Sequence, residues 1–288
     1  GVNTAMNKRI PKDVILKRYR DQIAQGIPLT GSGAGIGLSA KCAEAGGADM
    51  IIIYNSGYFR MSGRGSSCGR FSFSDANGLV LEMADEILSA VDHTPVIAGV
   101  FASDPYRDME THLHALADKG FSGVQNFPTS GNLFQAQLMW TNLEETGLGY
   151  EKEVEMIRIA NRIGLLTTPY CFTVEQAKRM ADTGTDILVA HMGLTTKGMI
   201  GAAVANSLDQ SVEKITRIAE AAKAVNPDVL VISHGGSVSE PADAQYIYDR
   251  VPLTVGFYGA SSAERIPSEN ALIQTVRAFK QMKIGGKQ

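Results

Sequence analysis

Two of the five histidines, His191 and His234, each close a short apolar run, where an imidazole can serve as general acid, general base or substrate contact. No carboxylate flanks either of them in sequence, so a metal site is the weaker reading. His93, His112 and His114 fall in helical or connecting segments. Cys171 ends another apolar run and has no sequence neighbour that would activate a thiol, so it reads as a small buried apolar residue. Two glycine-bearing turns stand out: His234-Gly235-Gly236-Ser237 and Gly259-Ala260-Ser261-Ser262. Small residues there let backbone N–H groups face an anion ahead of the next helix, so phosphate or carboxylate binding is expected. The stretch from Asn55 to Asn77 carries Arg60, Arg64 and Arg70 and no acid before Asp75. It reads as a locally positive lid that closes over a small anion and excludes water.

Something must hold these residues together. Eight nearly continuous apolar runs begin near Ile27, Asp49, Pro95, Phe121, Leu165, Asp186, Asp228 and Leu253. Continuous apolarity suits strands buried on both faces, and each run leads into a polar or glycine-rich stretch and then a segment of helical period. Eight βα units predict one (β/α)₈ barrel domain over residues 1–288, with an N-terminal helix opened by Pro11 across its lower end. A doubly wound sheet is the alternative, disfavoured by the count of eight and by the lack of a G-x-G-x-x-G fingerprint. Spacings between runs alternate, about 21–26 residues after odd runs and about 42–46 after even ones. The loops after strands 2, 4 and 6 therefore carry the insertions and are expected to wall the site. Residues just past the strand ends are the candidate list: Ser32, Asn55, Ser56, Gly57, Ser103, Asp104, Asn126, Thr129, Tyr170, His191, His234, Tyr258 and Ser261 among them.

Composition narrows the class. Lysine and arginine total 27 against 30 acids, giving a net charge of −3, so a nucleic-acid partner is not expected. The 44% hydrophobic content excludes a disordered chain. No run is long enough to span a bilayer, and three scattered cysteines without a C-x-x-C pair read as reduced, so a cytoplasmic location is expected. Thirty glycines, about 10% against a usual ~7%, belong in turns that approach a ligand closely.

Three motifs resemble a known family. Gly37-Leu38-Ser39-Ala40-Lys41 followed by Glu44-Ala45-Gly46, then Ile53-Tyr54-Asn55-Ser56-Gly57, then Ser74-Asp75-Ala76-Asn77 are similar to the first helix, second strand end and gating loop of the phosphoenolpyruvate mutase and phosphonopyruvate hydrolase barrels, within the isocitrate lyase superfamily. The whole chain is more similar still to the phosphoenolpyruvate hydrolase-like barrels, which are also found fused behind another domain in plant antiviral proteins. The resemblance implies that Ser56, Gly57 and Tyr58 hold a phosphonate or carboxylate, and that Asp75 attacks phosphorus or orients the attacking water. It also implies Mg²⁺, for which Asp104 is the candidate ligand. Where the characterised family has Asp-x-Asp after strand 3, Glu-Asp-Lys after strand 4 and an arginine on strand 5, this chain has Ala102-Ser103-Asp104, Gln125-Asn126-Phe127 and Thr167-Thr168-Pro169.

The expected activity is hydrolysis of a small phospho- or phosphono-2-oxo acid to pyruvate and phosphate. Asp75 would deliver the attack, Asn126 and His191 would face the developing enolate, and Arg60 or Arg64 would close on the anion. The alternatives are a C–C lyase or aldolase acting on an oxo acid, and a ligand-sensing or interaction barrel without catalysis. The resembled superfamily associates through its last helices, so a homo-oligomer is expected, with Leu272, Ile273, Val276 and Phe279 on the C-terminal helix.

Overall fold

The computed structural model describes residues 8–72, 74–203 and 205–285. In chain order the helices and strands are α1 (Lys12–Ala24), β1 (Leu29–Gly33), α2 (Gly37–Ala45), β2 (Met50–Ile53), α3 (Asn55–Met61), α4 (Ala76–Ala90), β3 (Val96–Gly99), α5 (Met109–Lys119), β4 (Gly123–Gln125), α6 (Gln137–Glu145) and α7 (Tyr150–Arg162). There follow β5 (Leu166–Thr167), β6 (Tyr170–Cys171), α8 (Val174–Asp182), β7 (Ile187–His191), α9 (Leu208–Val225), β8 (Leu230–His234), α10 (Pro241–Arg250), β9 (Thr254–Gly259) and α11 (Ile266–Lys280). Every apolar run holds a strand, and every pairing is parallel, in the order β5-β4-β3-β2-β1-β9-β8-β7-β6.

The nine strands are eight barrel staves, because β5 and β6 are halves of one run interrupted at Thr168-Pro169. Proline has no N–H to give the ladder, and the chain works around it. Thr168 N–H donates to the Val124 carbonyl on one side, and the Pro169 carbonyl accepts from Val189 N–H on the other. The sheet thus closes through the interrupted stave.

Strand side chains alternate between two buried layers, as a period of two requires. Met50, Ile52, Leu166, Tyr170, Ile187, Val189, Leu230, Ile232 and Tyr258 fill the barrel interior, while Ile51, Ile53, Cys171, Leu188, Ala190 and Val231 pack outward against α4, α7 and α9. The inward parity of Ile187 and Val189 extends to His191, that of Leu230 and Ile232 to His234, and that of Met50 and Ile52 to Tyr54. Helix α1 closes the lower end: Ile15 and Tyr19 are buried with the interior layer, and the Tyr19 hydroxyl donates to the Asp49 carbonyl just before β2 (2.7 Å).

Helix α11 behaves differently from the other barrel helices. It has no buried residue, and Leu272, Val276 and Phe279 are 65%, 65% and 75% exposed, so its apolar stripe does not cover this chain's own barrel. Among the described residues no helix is long and apolar enough to cross a membrane.

Candidate active site

The three long loops meet over the C-terminal mouth of the barrel. They line a small cleft of about 50 Å³ with Arg60, Ser66 and Arg70 from the loop after β2, Phe127, Thr129 and Asn132 from the loop after β4, and Gly193, Leu194 and Thr195 from the loop after β7. The floor and walls come from strand ends: Tyr54, Phe172, His191, His234, Ala260 and Ser261. The longer insertions thus wall the cleft, as the alternating spacing predicts.

Arg60 is the dominant charge. It is only 4% exposed, its guanidinium carbon lies 5.3 Å from the Tyr54 ring centroid, and one terminal nitrogen donates to Ser66 Oγ at 3.2 Å. Its Nε–H has no partner among the described residues. Burial disfavours the cation, but Tyr54, Tyr258 and Glu264 outweigh that and hold Arg60 protonated. An unpartnered buried N–H on a guanidinium is costly unless a ligand meets it.

His191 and His234 are register partners on adjacent strands, and their rings stand edge to face with centroids 4.6 Å apart. Tyr170 stacks on His234 at 5.4 Å and Phe172 on His191 at 4.5 Å, which fixes both ring planes. Burial keeps both imidazoles neutral. The His191 pKa falls well below its ordinary value, with His234, Arg70 and Lys214 adding to the effect of burial. For His234 burial and the nearby Arg60 charge outweigh a hydrogen bond to the Tyr258 carbonyl, and the value is lowered to about 4.

Several expected residues have other partners. Gly57 N–H donates to the Tyr54 carbonyl (2.9 Å) and Ser56 N–H to Asn55 Oδ1 (2.8 Å), so neither amide is free for an anion; they start α3 instead. Tyr58 is 46% exposed and Arg64 is exposed, bonded to its neighbour's carbonyl. The Gly235-Gly236 turn also differs from the anion cradle expected of it. Gly236 N–H donates to the Gly193 carbonyl (2.9 Å), joining the loops after β7 and β8. At Gly235, with φ +82°, a Cβ would lie 2.2 Å from that same carbonyl oxygen, so only glycine allows the approach. Ser237 sits beside Ser211, with hydroxyls 3.4 Å apart. Of that turn His234 alone reaches the cleft, together with Ser261 from the loop after β9.

Asp75 and Asp104 do not line the cleft. Arg107 lies between them, giving two nitrogens to Asp75 (2.8 and 2.7 Å) and one to Asp104 (2.8 Å). Asp75 also caps α4 by accepting from Gly78 N–H (3.0 Å), and Asp104 accepts from the Asn77 amide (3.0 Å) and from Tyr106 N–H (2.9 Å). Hydrogen bonding to Arg107 holds the Asp75 carboxyl below the usual range. For Asp104 burial opposes ionisation, but Asn77, Arg107 and Tyr106 outweigh it. A carboxylate already satisfied by a guanidinium does not fit Mg²⁺, which needs several oxygen ligands in octahedral array. Among the described residues no group of three His, Cys, Asp or Glu side chains converges to supply them.

Asn126 is fully buried and structural in its contacts: its amide donates to Glu153 (2.8 Å) and to the Tyr170 carbonyl (3.2 Å), and its oxygen accepts from Tyr170 N–H (2.6 Å). Glu153 gathers the start of the loop after β4, accepting also from Thr129 Oγ1 and from Ser130 N–H and hydroxyl. Burial outweighs those four donors and raises its pKa to about 7.

Tyr54, Ser66, Asn132, Phe172 and Thr195 line the cleft without having been singled out from sequence. For Tyr54 and Phe172 the signal was available, because each lies two residues beyond an inward strand position.

Comparison with known proteins places the chain in a family. A family model described as phosphoenolpyruvate hydrolase-like matches residues 14–282. The ToMV susceptible protein tm-1(GCR26) of Solanum lycopersicum is 54% identical over 275 residues, 96% of this chain and 36% of the tomato protein. This chain therefore spans about a third of that relative's length. Among solved structures, phosphoenolpyruvate phosphomutase from Streptomyces platensis subsp. rosaceus superposes with a TM-score of 0.59 at 14% identity, over 92% of this chain and 87% of that one. A 2,3-dimethylmalate lyase of the PEP mutase/isocitrate lyase superfamily gives 0.56 at 15% identity, over 97% and 91%. Those two likenesses are of fold. By sequence the chain belongs to the phosphoenolpyruvate hydrolase-like family, and its fold is similar to that of the phosphomutase and lyase barrels.

Proposed function

We propose that this chain is an enzyme that cleaves a small anionic 2-oxo acid in the cleft at its barrel mouth, with phosphonopyruvate hydrolysis to pyruvate and phosphate as the specific reaction. The observation that carries the proposal is Arg60: a buried guanidinium at the cleft with an Nε–H that no atom of the described residues meets. Arg70 lines the same space. Two cations suit a substrate with a carboxylate at one end and a phosphonate at the other, since guanidinium binds either group bidentately.

Hydrolysis forms a P–O bond to water and breaks the C–P bond, whose electron pair leaves on the pyruvate skeleton as its enolate; C3 then takes a proton. Charge develops on the 2-oxo oxygen, so hydrogen-bond donors must face it. The cleft offers the hydroxyls of Ser66, Thr195 and Ser261 and the two imidazoles. Asp75 takes no step here, because Arg107 and the α4 cap engage it away from the cleft.

The test is incubation with phosphonopyruvate, phosphoenolpyruvate and oxaloacetate, each with and without Mg²⁺, following phosphate and pyruvate. Equal release of both from phosphonopyruvate supports the proposal. Turnover of oxaloacetate alone would move the chemistry to a C–C bond, and tight binding without turnover of any of the three would make the barrel a sensor.

A further inference from the structure

The two cleft histidines are locked in opposite tautomers. Gly193 N–H donates to His191 Nδ1 (2.9 Å), so Nδ1 is the acceptor and the proton of the neutral ring sits on Nε2. His234 Nδ1 lies 2.6 Å from the Tyr258 carbonyl oxygen, which can only accept, so its proton sits on Nδ1 and Nε2 is bare. Among the described residues the hydrogen bonds of the two rings are made at Nδ1 and none at Nε2, and both residues line the cleft. One cleft wall thus presents a fixed N–H donor beside a fixed lone pair.

Resting on the reading of the cleft as a 2-oxo acid site, we infer that His234 and His191 are a proton-transfer pair for enolisation at C3, so that the protein exchanges the C3 protons of a 2-oxo acid with solvent whether or not a C–P bond is cleaved. His234 Nε2 takes a proton from C3; the C–H electron pair becomes the C2=C3 bond, and the carbonyl π pair moves to the 2-oxo oxygen. His191 keeps its proton and donates a hydrogen bond to that oxyanion, as a neutral imidazole can. The reverse step returns a solvent-derived proton to C3, with no net change of oxidation state. In C–P cleavage His234 Nε2 takes a proton from the attacking water instead and delivers it to C3, which quenches the enolate.

The surroundings fit this division of labour. Burial, with the nearby Arg60 charge adding to it, depresses the basicity of His234, and a substrate carboxylate paired with Arg60 offsets the part due to that charge. Phe172 and Tyr170 hold the rings at the angle that keeps donor and acceptor apart.

The probe is pyruvate in D₂O, with loss of its methyl proton signal followed by NMR and its dissociation constant measured by titration in the same samples. Wild-type protein should exchange the methyl protons well above the buffer rate. His234→Gln should slow exchange at least about 100-fold, as for loss of a general base. His191→Gln should slow it by about 100-fold, as for loss of an oxyanion donor, with pyruvate affinity within a few-fold in both. Long-range ¹H–¹⁵N spectra of the wild-type imidazoles give a readout independent of any variant's folding: His191 should carry its proton on Nε2 and His234 on Nδ1. The same tautomer on both rings, or exchange unaffected by either substitution, overturns the pair. Pyruvate bound without exchange overturns it too while leaving the cleft an oxo-acid site, whereas no pyruvate binding removes both readings.

Discussion

The imidazole of His191 stands edge-on to that of His234, 4.6 Å between centroids, and the backbone gives the two rings opposite instructions: Gly193 N–H donates to one Nδ1 and the Tyr258 carbonyl accepts from the other. Because a neutral imidazole has one proton, each backbone contact determines what the far nitrogen offers the cleft. The chemistry expected of the mouth follows from those two contacts and from the cation beside them.

Replacing that cation conservatively should weaken binding without unfolding the barrel. Arg60→Lys keeps a positive charge beside Glu264 but cannot present the planar fork or the unpartnered Nε–H. Pyruvate affinity measured by titration should fall at least about tenfold, about 1.4 kcal/mol. Unchanged affinity would remove Arg60 from the anion site.

Asp75→Ala discriminates between a catalytic and a scaffolding carboxylate. The substitution removes the α4 cap, worth about 1 kcal/mol, and a pair to Arg107 in which Asp75 is half exposed and which adds up to about 1 kcal/mol. Chemical denaturation should show a loss of about 1–2 kcal/mol, with phosphate release from phosphonopyruvate within a few-fold of wild type. A loss of turnover beyond 100-fold in folded protein would restore Asp75 to the attacking role.

Glu153 and His234 make opposed contributions to stability over nearly one pH window. Glu153 has a folded pKa of about 7 against 4.5; its contribution is fully present below pH 4.5 and lost as pH rises through 7. His234 has a folded value of about 4 against 6.5; it favours folding above pH 6.5 and that advantage is lost as pH falls toward 4. Each shift corresponds to about 3 kcal/mol at the limit. Relative to wild type, Glu153→Gln should lose stability on going from pH 7.5 to 4.5, and His234→Gln should gain it, in urea unfolding at both pH values. Parallel pH profiles for the two variants would contradict the assignment.

The stripe on α11 makes a prediction about assembly. Leu272, Val276 and Phe279 are exposed on this chain, and burying such a face against a second copy is expected from the hydrophobic effect. Sedimentation should show an oligomer, and Leu272→Asp with Phe279→Asp should give a folded monomer, because no residue of α11 is buried in its own barrel. A monomeric wild type would contradict this.

Much of the architecture was legible in residue patterns. The apolar runs mark the staves because a strand buried on both faces needs them, and strict alternation from Ile187 through Val189 carries His191 to the inside of the mouth, as Leu230 and Ile232 carry His234. Alternating run spacing identifies the loops that wall the cleft. What parity cannot say is which loop residue turns inward. Arg60 and Arg64 have the same charge and lie four apart, yet α3 buries the first and the chain leaves the second exposed.

The sequence by itself therefore determined the barrel, its orientation and the two histidines, since periodicity is a local property of a strand. Tertiary structure alone decided the fate of the long-range partners. Asp75 meets Arg107 across 32 residues, and Gly236 donates its N–H to Gly193 in another loop. Those meetings depend on how barrel closure sets neighbouring staves in register, which the residues near either partner do not encode. Closure is also what turns two separate strand ends into one cleft wall carrying a donor and an acceptor side by side.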